Sequence, residues 1–170
     1  MPNKKVDVIK RVYFDADVLI SLISKTKGRF HIIEDLMNEA ENGKIIIFTS
    51  QYSVAEVAFA EHEKPSGENP KPKIDKFIPD KINKLWHPDS IIKLVDVHHL
   101  ITRNAKDLMR RVHPLSLKPP DAIHLATAKM MGVSDYFCYD DRLDKFAKKL
   151  GYHIKRPEIE NLFPDPEEQI

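Results

Sequence analysis

The sequence contains a single cysteine, Cys138, among its 170 residues. One thiol excludes both an internal disulfide and a metal cage built from cysteines. A large charge of one sign is also absent, because 27 lysines and arginines stand against 26 aspartates and glutamates, for a net charge of +1. Proteins held to nucleic acid by bulk charge are far more basic. A polyanionic partner would therefore have to be bound by a local basic patch or through metal ions.

Long hydrophobic runs are missing as well. No apolar segment approaches the length that crosses a membrane, and residues 1–7 lack the apolar core of a signal peptide. We therefore expect a soluble, cytoplasmic protein with no membrane partner. Its length is sufficient for one domain with a substantial core.

Short apolar runs alternate with helical patterns along the chain. We predict strands at 11–15, 44–48, 91–97, 136–139 and 152–155. We predict helices at about 18–24, 29–41, 51–62, 98–111, 121–131 and 142–150. Gly43 and Gly151 follow two of these helices, where glycine is favoured. The alternation predicts an α/β fold: a single three-layer domain over residues 1–170, with a mostly parallel five-stranded sheet and helices on both faces.

An insertion at about 63–90 interrupts this alternation. Residues 63–73 have the composition of an exposed loop, and Pro79 can open a helix over 80–86. The insertion either clamps a substrate, forms a dimer contact, or is simply a surface loop that leads into an ordinary amphipathic helix.

Asp15 ends the first predicted strand and is followed at once by a helix. In an open α/β sheet, ligands bind just beyond the carboxyl ends of the strands, so a carboxylate there is well placed to hold a cation such as Mg²⁺. Asp17 can add a second oxygen. The alternative is that both residues only cap the helix, since aspartate is a preferred N-cap.

Three further acids are expected at the same edge of the sheet. Asp140 ends the fourth strand as Asp15 ends the first, Asp121 begins an alanine-rich helix, and Glu56 lies in the helix after the second strand. If the first and fourth strands are neighbours, Asp15 and Asp140 flank the crevice where the strand order reverses. Carboxylates that converge without a cation repel each other. Such a cluster favours Mg²⁺ or Mn²⁺, which prefer oxygen ligands.

These residues resemble the motifs of PIN-domain nucleases, and in particular of their VapC-like toxin branch. The resemblance extends from about Val12 to Lys155. The matching segments are the strand-end aspartate in residues 13–20, Thr49-Ser50 with Glu56, the Asp-Ala-Ile-His-Leu-Ala helix at 121–126, and the final strand-end aspartate, Asp140.

The resemblance implies a reaction and a set of residue roles. It implies Mg²⁺- or Mn²⁺-dependent hydrolysis of RNA phosphodiester bonds, most typically by the toxin of a toxin–antitoxin pair. It further implies a small antitoxin protein as partner and a homodimer. The residues implied as catalytic and as metal ligands are Asp15, Glu56, Asp121 and Asp140. Residues expected to support them are Asp17, Ser50 and Asp144.

Three positions depart from the family pattern, and one of them is Asp17, which stands where Asn is common. Ala16 stands where the family often has a hydroxyl residue, and Cys138 stands where Thr or Ser is common before the last aspartate. Those hydroxyls would orient the carboxylates or a phosphate. We therefore expect the support of the carboxylates to be altered in this chain.

Other polar residues leave two interpretations open. His124 lies one turn after Asp121 and either faces the pocket or is an ordinary core or surface histidine. A basic series recurs along the predicted helix at 98–111 and either contacts phosphates or is a solvated charged face. That series consists of Arg103, Lys106, Arg110 and Arg111.

Two other functions compete with the nuclease. Asp15-Ala16-Asp17 also resembles the opening of haloacid dehalogenase-like phosphatases, in which Asp15 would be a covalent nucleophile. Against this, Val18 replaces the usual glycine, and Glu56 and Asp121 would have no role. The other alternative is a degenerate PIN domain that binds RNA or a partner without cleaving. The motifs do not by themselves prove a toxin role, because PIN nucleases also process ribosomal RNA or degrade messages.

Overall fold

The computed structural model describes residues 9–60 and 78–157. Their strands are β1 Lys10–Phe14, β2 Ile45–Ser50, β3 Ile92–Val95, β4 Asp135–Phe137 and β5 Ile154–Lys155. Their helices are α1 Ala16–Ile23, α2 Phe30–Glu41, α3 Tyr52–Ala60, α4 Ile78–Leu85, α5 His99–Arg111, α6 Pro119–Met130 and α7 Asp144–Leu150. A short 3₁₀ turn, Asp141–Leu143, precedes α7.

The five strands form one parallel sheet in the order β3-β2-β1-β4-β5. The predicted α/β fold with a five-stranded parallel sheet is therefore confirmed. β1 pairs with β2 on one side and with β4 on the other, so the strand order reverses between β1 and β4. Crevices form at such a reversal, outside the carboxyl ends of the strands. Asp15 and Asp140 follow the two strands that flank it.

Alternation along β1 divides the core into two layers, because successive strand side chains point to opposite faces of the sheet. Val12 and Phe14 pack in one cluster with buried residues of α1, α2 and α4. Tyr13 packs in the other cluster, with residues of α5, α6 and α7. The helices thus cover both faces, as the sequence predicts.

The helix of the predicted insertion packs into the first of these clusters. Ile82 and Leu85 of α4 are buried there, and Trp86 is partly buried against them. The amphipathic pattern is therefore explained by the core of the domain. The predicted loop at 63–73 and the end of the helix predicted at 51–62 lie outside the described residues.

The element boundaries differ from the predicted ones by a few residues. α1 begins at Ala16 and α6 at Pro119, each two residues before the predicted start. Asp15 caps α1, and Pro119 and Pro120 occupy the first turn of α6, where a missing N–H costs nothing. Among the described residues, no helix combines the length and the apolar character that crossing a bilayer requires.

Candidate active site

A cavity of about 670 Å³ lies at the edge of the sheet where β1 and β4 end. The four principal acids of the sequence motifs, Asp15, Glu56, Asp121 and Asp140, all line it, and Asp17 is a fifth. The other lining residues are Ala16, Ile20, Tyr52, Ala55 and Arg142. Segments that are distant in the sequence thus bring their carboxylates to one pocket.

Asp15 is held from three directions. Its Oδ1 accepts a hydrogen bond from the Ala16 N–H at 2.6 Å, which makes it the N-cap of α1. Its Oδ2 accepts one from the Tyr136 hydroxyl at 2.6 Å, and its backbone N–H donates to the Phe137 carbonyl at 3.0 Å. Asp15 therefore caps α1 and lines the cavity at the same time.

Asp17 faces the same pocket with one oxygen satisfied. Its Oδ2 accepts from the Tyr139 N–H at 2.8 Å, whereas its buried Oδ1 has no hydrogen-bond partner among the described residues. Burial and then the nearby charge of Asp15 raise the pKa of Asp17 to about 7. A buried oxygen without a donor is costly, and a proton or a cation would relieve that cost.

Glu56 is held by His124, the histidine for which the sequence allows either a place at the pocket or an ordinary core or surface position. His124 Nε2 lies 2.7 Å from Glu56 Oε2 and 3.7 Å from Asp15 Oδ1, and the imidazole is buried. Burial alone would lower the pKa of His124, but the carboxylates of Asp15 and Glu56 outweigh it, and the pKa is raised. His124 follows Asp121 by three residues, which is about one helical turn. This spacing is the sequence signal that places both side chains on one face of α6.

Two buried tyrosines lie beneath these groups. The Tyr13 hydroxyl hydrogen-bonds with His124 Nδ1 at 2.7 Å and accepts from the Ser50 N–H at 2.9 Å. The ring of Tyr13 stacks on that of Tyr136, with centroids 4.9 Å apart. Burial, followed by the charge of Asp15, raises the pKa of both phenols well above the usual value, so both remain protonated.

These two tyrosines place hydroxyl groups beside the acidic residues. Tyr136 donates to Asp15, and Tyr13 supports Glu56 through His124. Nothing in the local pattern singles them out, because a tyrosine in an apolar strand is an ordinary core residue. Their role depends on contacts between residues more than a hundred positions apart.

Ser50 contributes through its backbone more than through its side chain. It is fully buried, and its hydroxyl accepts from the Tyr52 N–H at 3.2 Å, beside the start of α3. Its own N–H donates to Tyr13. Ser50 therefore supports the tyrosine that holds His124, and does not line the cavity.

Asp121 and Asp140 occupy different electrostatic environments. Asp121 lies in the first turn of α6, and burial, then the charges of Asp15 and Asp140, raise its pKa. Asp140 accepts from the Arg142 guanidinium through both carboxylate oxygens, at 2.6 to 3.0 Å. This contact lowers the pKa of Asp140.

Asp144 lies apart from the pocket. Both of its oxygens accept from the Arg156 guanidinium, at 2.8 and 2.9 Å, and it does not line the cavity. Asp140, and not Asp144, is therefore the acid that the end of β4 delivers to the site.

The donor set fits a divalent cation. Ligand atoms of Asp15, Glu56 and His124 all lie within 4.8 Å of one another, and Asp17 adds an unpartnered oxygen. Carboxylate oxygens suit Mg²⁺ and Mn²⁺. His124 Nε2 already contacts Glu56 at 2.7 Å, so the imidazole is better placed to orient this carboxylate than to bind the ion itself.

The family model of the PIN domain matches residues 12–149. No functionally curated protein matches the sequence. Among solved structures, the chain is similar to VapBC2 from Rickettsia felis bound to a DNA fragment of its promoter, with 14% identity over 86% of this chain and 98% of the other and a TM-score of 0.63.

Two further solved structures share the fold. Mycobacterium tuberculosis VapC20, described as a sarcin–ricin-loop-cleaving toxin, is 13% identical over 83% of this chain and 95% of its own, with a TM-score of 0.59. A toxin–antitoxin complex from Klebsiella pneumoniae contains a chain that is 20% identical over 86% of this chain and 97% of its own, with a TM-score of 0.56.

Proposed function

The chain belongs to the PIN-domain family, and on that premise we propose that it is a divalent-metal-dependent endoribonuclease that acts as the toxin of a toxin–antitoxin pair. The metal ligands in this proposal are Asp15, Glu56, Asp121 and Asp140. The phosphatase interpretation loses its support, because it leaves Glu56 and Asp121 without a role although both line the same cavity as Asp15.

The observation that carries the proposal is the convergence of these carboxylates. The raised pKa values of Asp17 and Asp121 have common causes, since each side chain is partly buried and each is affected by the charge of Asp15. Several acids held together at this cost are typical of a site that binds a cation. A structural role alone would be served better by apolar residues of similar size.

The surrounding residues orient the carboxylates. The Tyr136 hydroxyl fixes Asp15, and His124 fixes Glu56 while its other ring nitrogen is held by Tyr13. Because the Glu56 carboxylate only accepts hydrogen bonds, this contact requires the proton on Nε2 of His124. When bound, Mg²⁺ or Mn²⁺ would neutralise a scissile phosphate and help to generate hydroxide from water.

RNA as substrate and a toxin role are supported by the proteins that share the fold. VapC20 is described as cleaving the sarcin–ricin loop, and the Rickettsia and Klebsiella structures are of toxin–antitoxin assemblies. We propose an RNA substrate and a small antitoxin protein as partner on this basis. We propose a homodimer from the family resemblance alone. The open cavity between β1 and β4 is the surface that such an antitoxin would block.

A cleavage assay on a panel of RNAs tests the proposal. Wild-type protein with Mn²⁺ should cut at least one single-stranded RNA, and EDTA or the substitution Asp15→Asn should abolish the cutting. Asp107→Asn is the matched control, because Asp107 is an exposed acid on α5 away from the cavity. An equal loss of cleavage in both variants would contradict the proposed site.

Alternative functions give different results in the same assay. Turnover of a small aryl phosphate with a trapped aspartyl phosphate would point to a phosphatase. RNA binding without cleavage, under all metals tried, would point to a degenerate PIN domain. The toxin role would be supported if a small protein encoded beside this one inhibits the cleavage. Co-purification of the two proteins would show that they form a stable complex.

A further inference from the structure

Arg142 contributes a permanent positive charge to the cavity. Among the residues that line it in the described part of the chain, Arg142 is the one lysine or arginine. Its side chain is 66% exposed, so it lies at the mouth of the cavity and not within the core. A guanidinium in this position can contact the carboxylates of the cavity and also an anion that enters it.

The contact with Asp140 occupies both oxygens of that carboxylate. Arg142 Nε lies 2.9 Å from Oδ1 and 3.0 Å from Oδ2, and Nη2 lies 2.6 Å from Oδ2. The Arg142 backbone N–H also donates to Oδ1 at 2.9 Å. Each oxygen of Asp140 thus already accepts two contacts from Arg142, so a cation that binds either oxygen competes with Arg142 for it.

A guanidinium binds carboxylates and phosphates with the same planar fork. When Asp140 releases Arg142, the guanidinium remains beside the cavity, because a single residue separates the two in the chain. The anion that enters a nuclease site is a phosphodiester. The same side chain can thus serve first the carboxylate and then the substrate.

We propose, on the premise of the ribonuclease function above, that Arg142 is a substrate-binding residue: Asp140 exchanges Arg142 for the divalent cation, and the released guanidinium binds a phosphodiester oxygen of the RNA. Binding of the metal and of RNA is then positively coupled through one side chain. Such coupling is reciprocal, so each ligand strengthens the other.

Metal binding without RNA tests the first half of the exchange. Isothermal titration of metal-free protein with Mn²⁺ compares wild type with Arg142→Gln and Arg142→Lys. Arg142→Gln should bind Mn²⁺ about three- to fivefold more tightly, because an exposed ion pair of ordinary strength no longer competes for Asp140. Arg142→Lys, which keeps the charge but loses the fork, should lie between the two.

RNA binding tests the second half. Anisotropy of a short fluorescein-labelled single-stranded RNA is measured with Ca²⁺, an oxygen-preferring cation. Arg142→Gln should weaken binding about tenfold, the usual loss for a charge-assisted contact. Lys44→Gln, which removes an exposed positive charge just before β2 and outside the cavity, should change it about twofold at most.

Two results would overturn the inference. Unchanged or weaker Mn²⁺ binding in Arg142→Gln would mean that Arg142 only positions Asp140. RNA binding that falls equally in Arg142→Gln and Lys44→Gln would mean that Arg142 supplies charge without a specific contact. Both measurements record binding and not cleavage. The failure of this inference can therefore be told apart from the failure of the proposed function, which would show as a wild-type protein that cuts no RNA.

Discussion

The imidazole Nε2 of His124 lies 2.7 Å from Oε2 of Glu56, and this contact joins α6 to α3 beside the acidic cavity. The other ring nitrogen of His124 lies 2.7 Å from the hydroxyl of Tyr13, in β1. One buried side chain therefore couples three elements of the domain. It also fixes the direction in which the Glu56 carboxylate can point.

We expect His124→Gln to impair metal binding and cleavage together. Loss of a residue that orients a metal ligand typically costs about 10- to 100-fold in affinity or activity. Titration with Mn²⁺ and steady-state cleavage kinetics measure the two effects. His153→Gln is the control, because His153 contacts Asp135 at 2.7 Å instead of the cavity. Normal Mn²⁺ affinity in a folded His124→Gln protein would refute the orienting role.

We expect Tyr136→Phe to weaken Mn²⁺ binding while leaving the fold intact. The phenyl ring retains the stacking on Tyr13, but Asp15 loses the hydrogen bond that fixes its Oδ2. A hydrogen bond to a charged group contributes about 1.5–3 kcal/mol, which corresponds to at least a tenfold weaker affinity. Tyr152→Phe removes a partly buried hydroxyl that donates to the Leu125 carbonyl. Equal effects of the two variants would show a general loss of packing instead.

We expect Asp17→Asn to stabilise the metal-free protein at high pH. The pKa of Asp17 is about 7 in the folded state and near 3.8 when unfolded, so the native charge disfavours folding, and stability falls as pH rises between these values. Removing the charge should raise Tm by about 2–6 °C at about pH 8. Near pH 4 the two proteins should melt alike.

Thermal melts in EDTA at the two pH values measure this difference. The amide oxygen can still accept from the Tyr139 N–H, so the variant conserves the one hydrogen bond that Asp17 makes through Oδ2. A Tm that is lowered at both pH values would contradict the raised pKa of Asp17.

Asp135 shows the opposite pH dependence at the other end of β4. Burial raises its pKa, but Lys10, His153 and Lys155 outweigh this and lower it. Its charge therefore contributes stability above the unfolded pKa, and this is lost as pH falls through the lower folded value. Asp135→Asn should destabilise the protein at neutral pH by about 1–3 kcal/mol and leave Mn²⁺ affinity unchanged.

Urea unfolding at neutral and at acidic pH measures the effect of Asp135→Asn. The difference from wild type should shrink as the solution is acidified. A variant with reduced Mn²⁺ affinity would contradict the assignment of Asp135 to stability alone.

The acids at strand ends could be predicted because their position follows from local order. A strand that stops at Asp15 and a helix that starts beside it place the carboxylate at the sheet edge whatever the remainder of the chain does. The expectation for Asp140 depends on β1 and β4 being neighbours, and these strands do pair in parallel.

Tyr13, Tyr136 and His124 could not be assigned in the same way. Each fits an ordinary core residue locally, and only the register of β1 against β4 and the packing of α6 direct its polar atom toward the acids. The pairing of Arg142 with Asp140 was missed because neighbouring opposite charges on a surface turn are common. Its importance comes from the cavity that it borders.

The location of the bound metal tests the account most directly. A crystal of the wild-type protein soaked in Mn²⁺ should show an anomalous difference peak in the cavity, about 2.0–2.3 Å from a carboxylate oxygen of Asp15 and of at least one other proposed ligand. Asp15→Asn crystals should lose the peak or show it strongly reduced. A cavity without a peak under saturating Mn²⁺, or a peak bound only by Asp141 and Asp144, would contradict the proposed metal site.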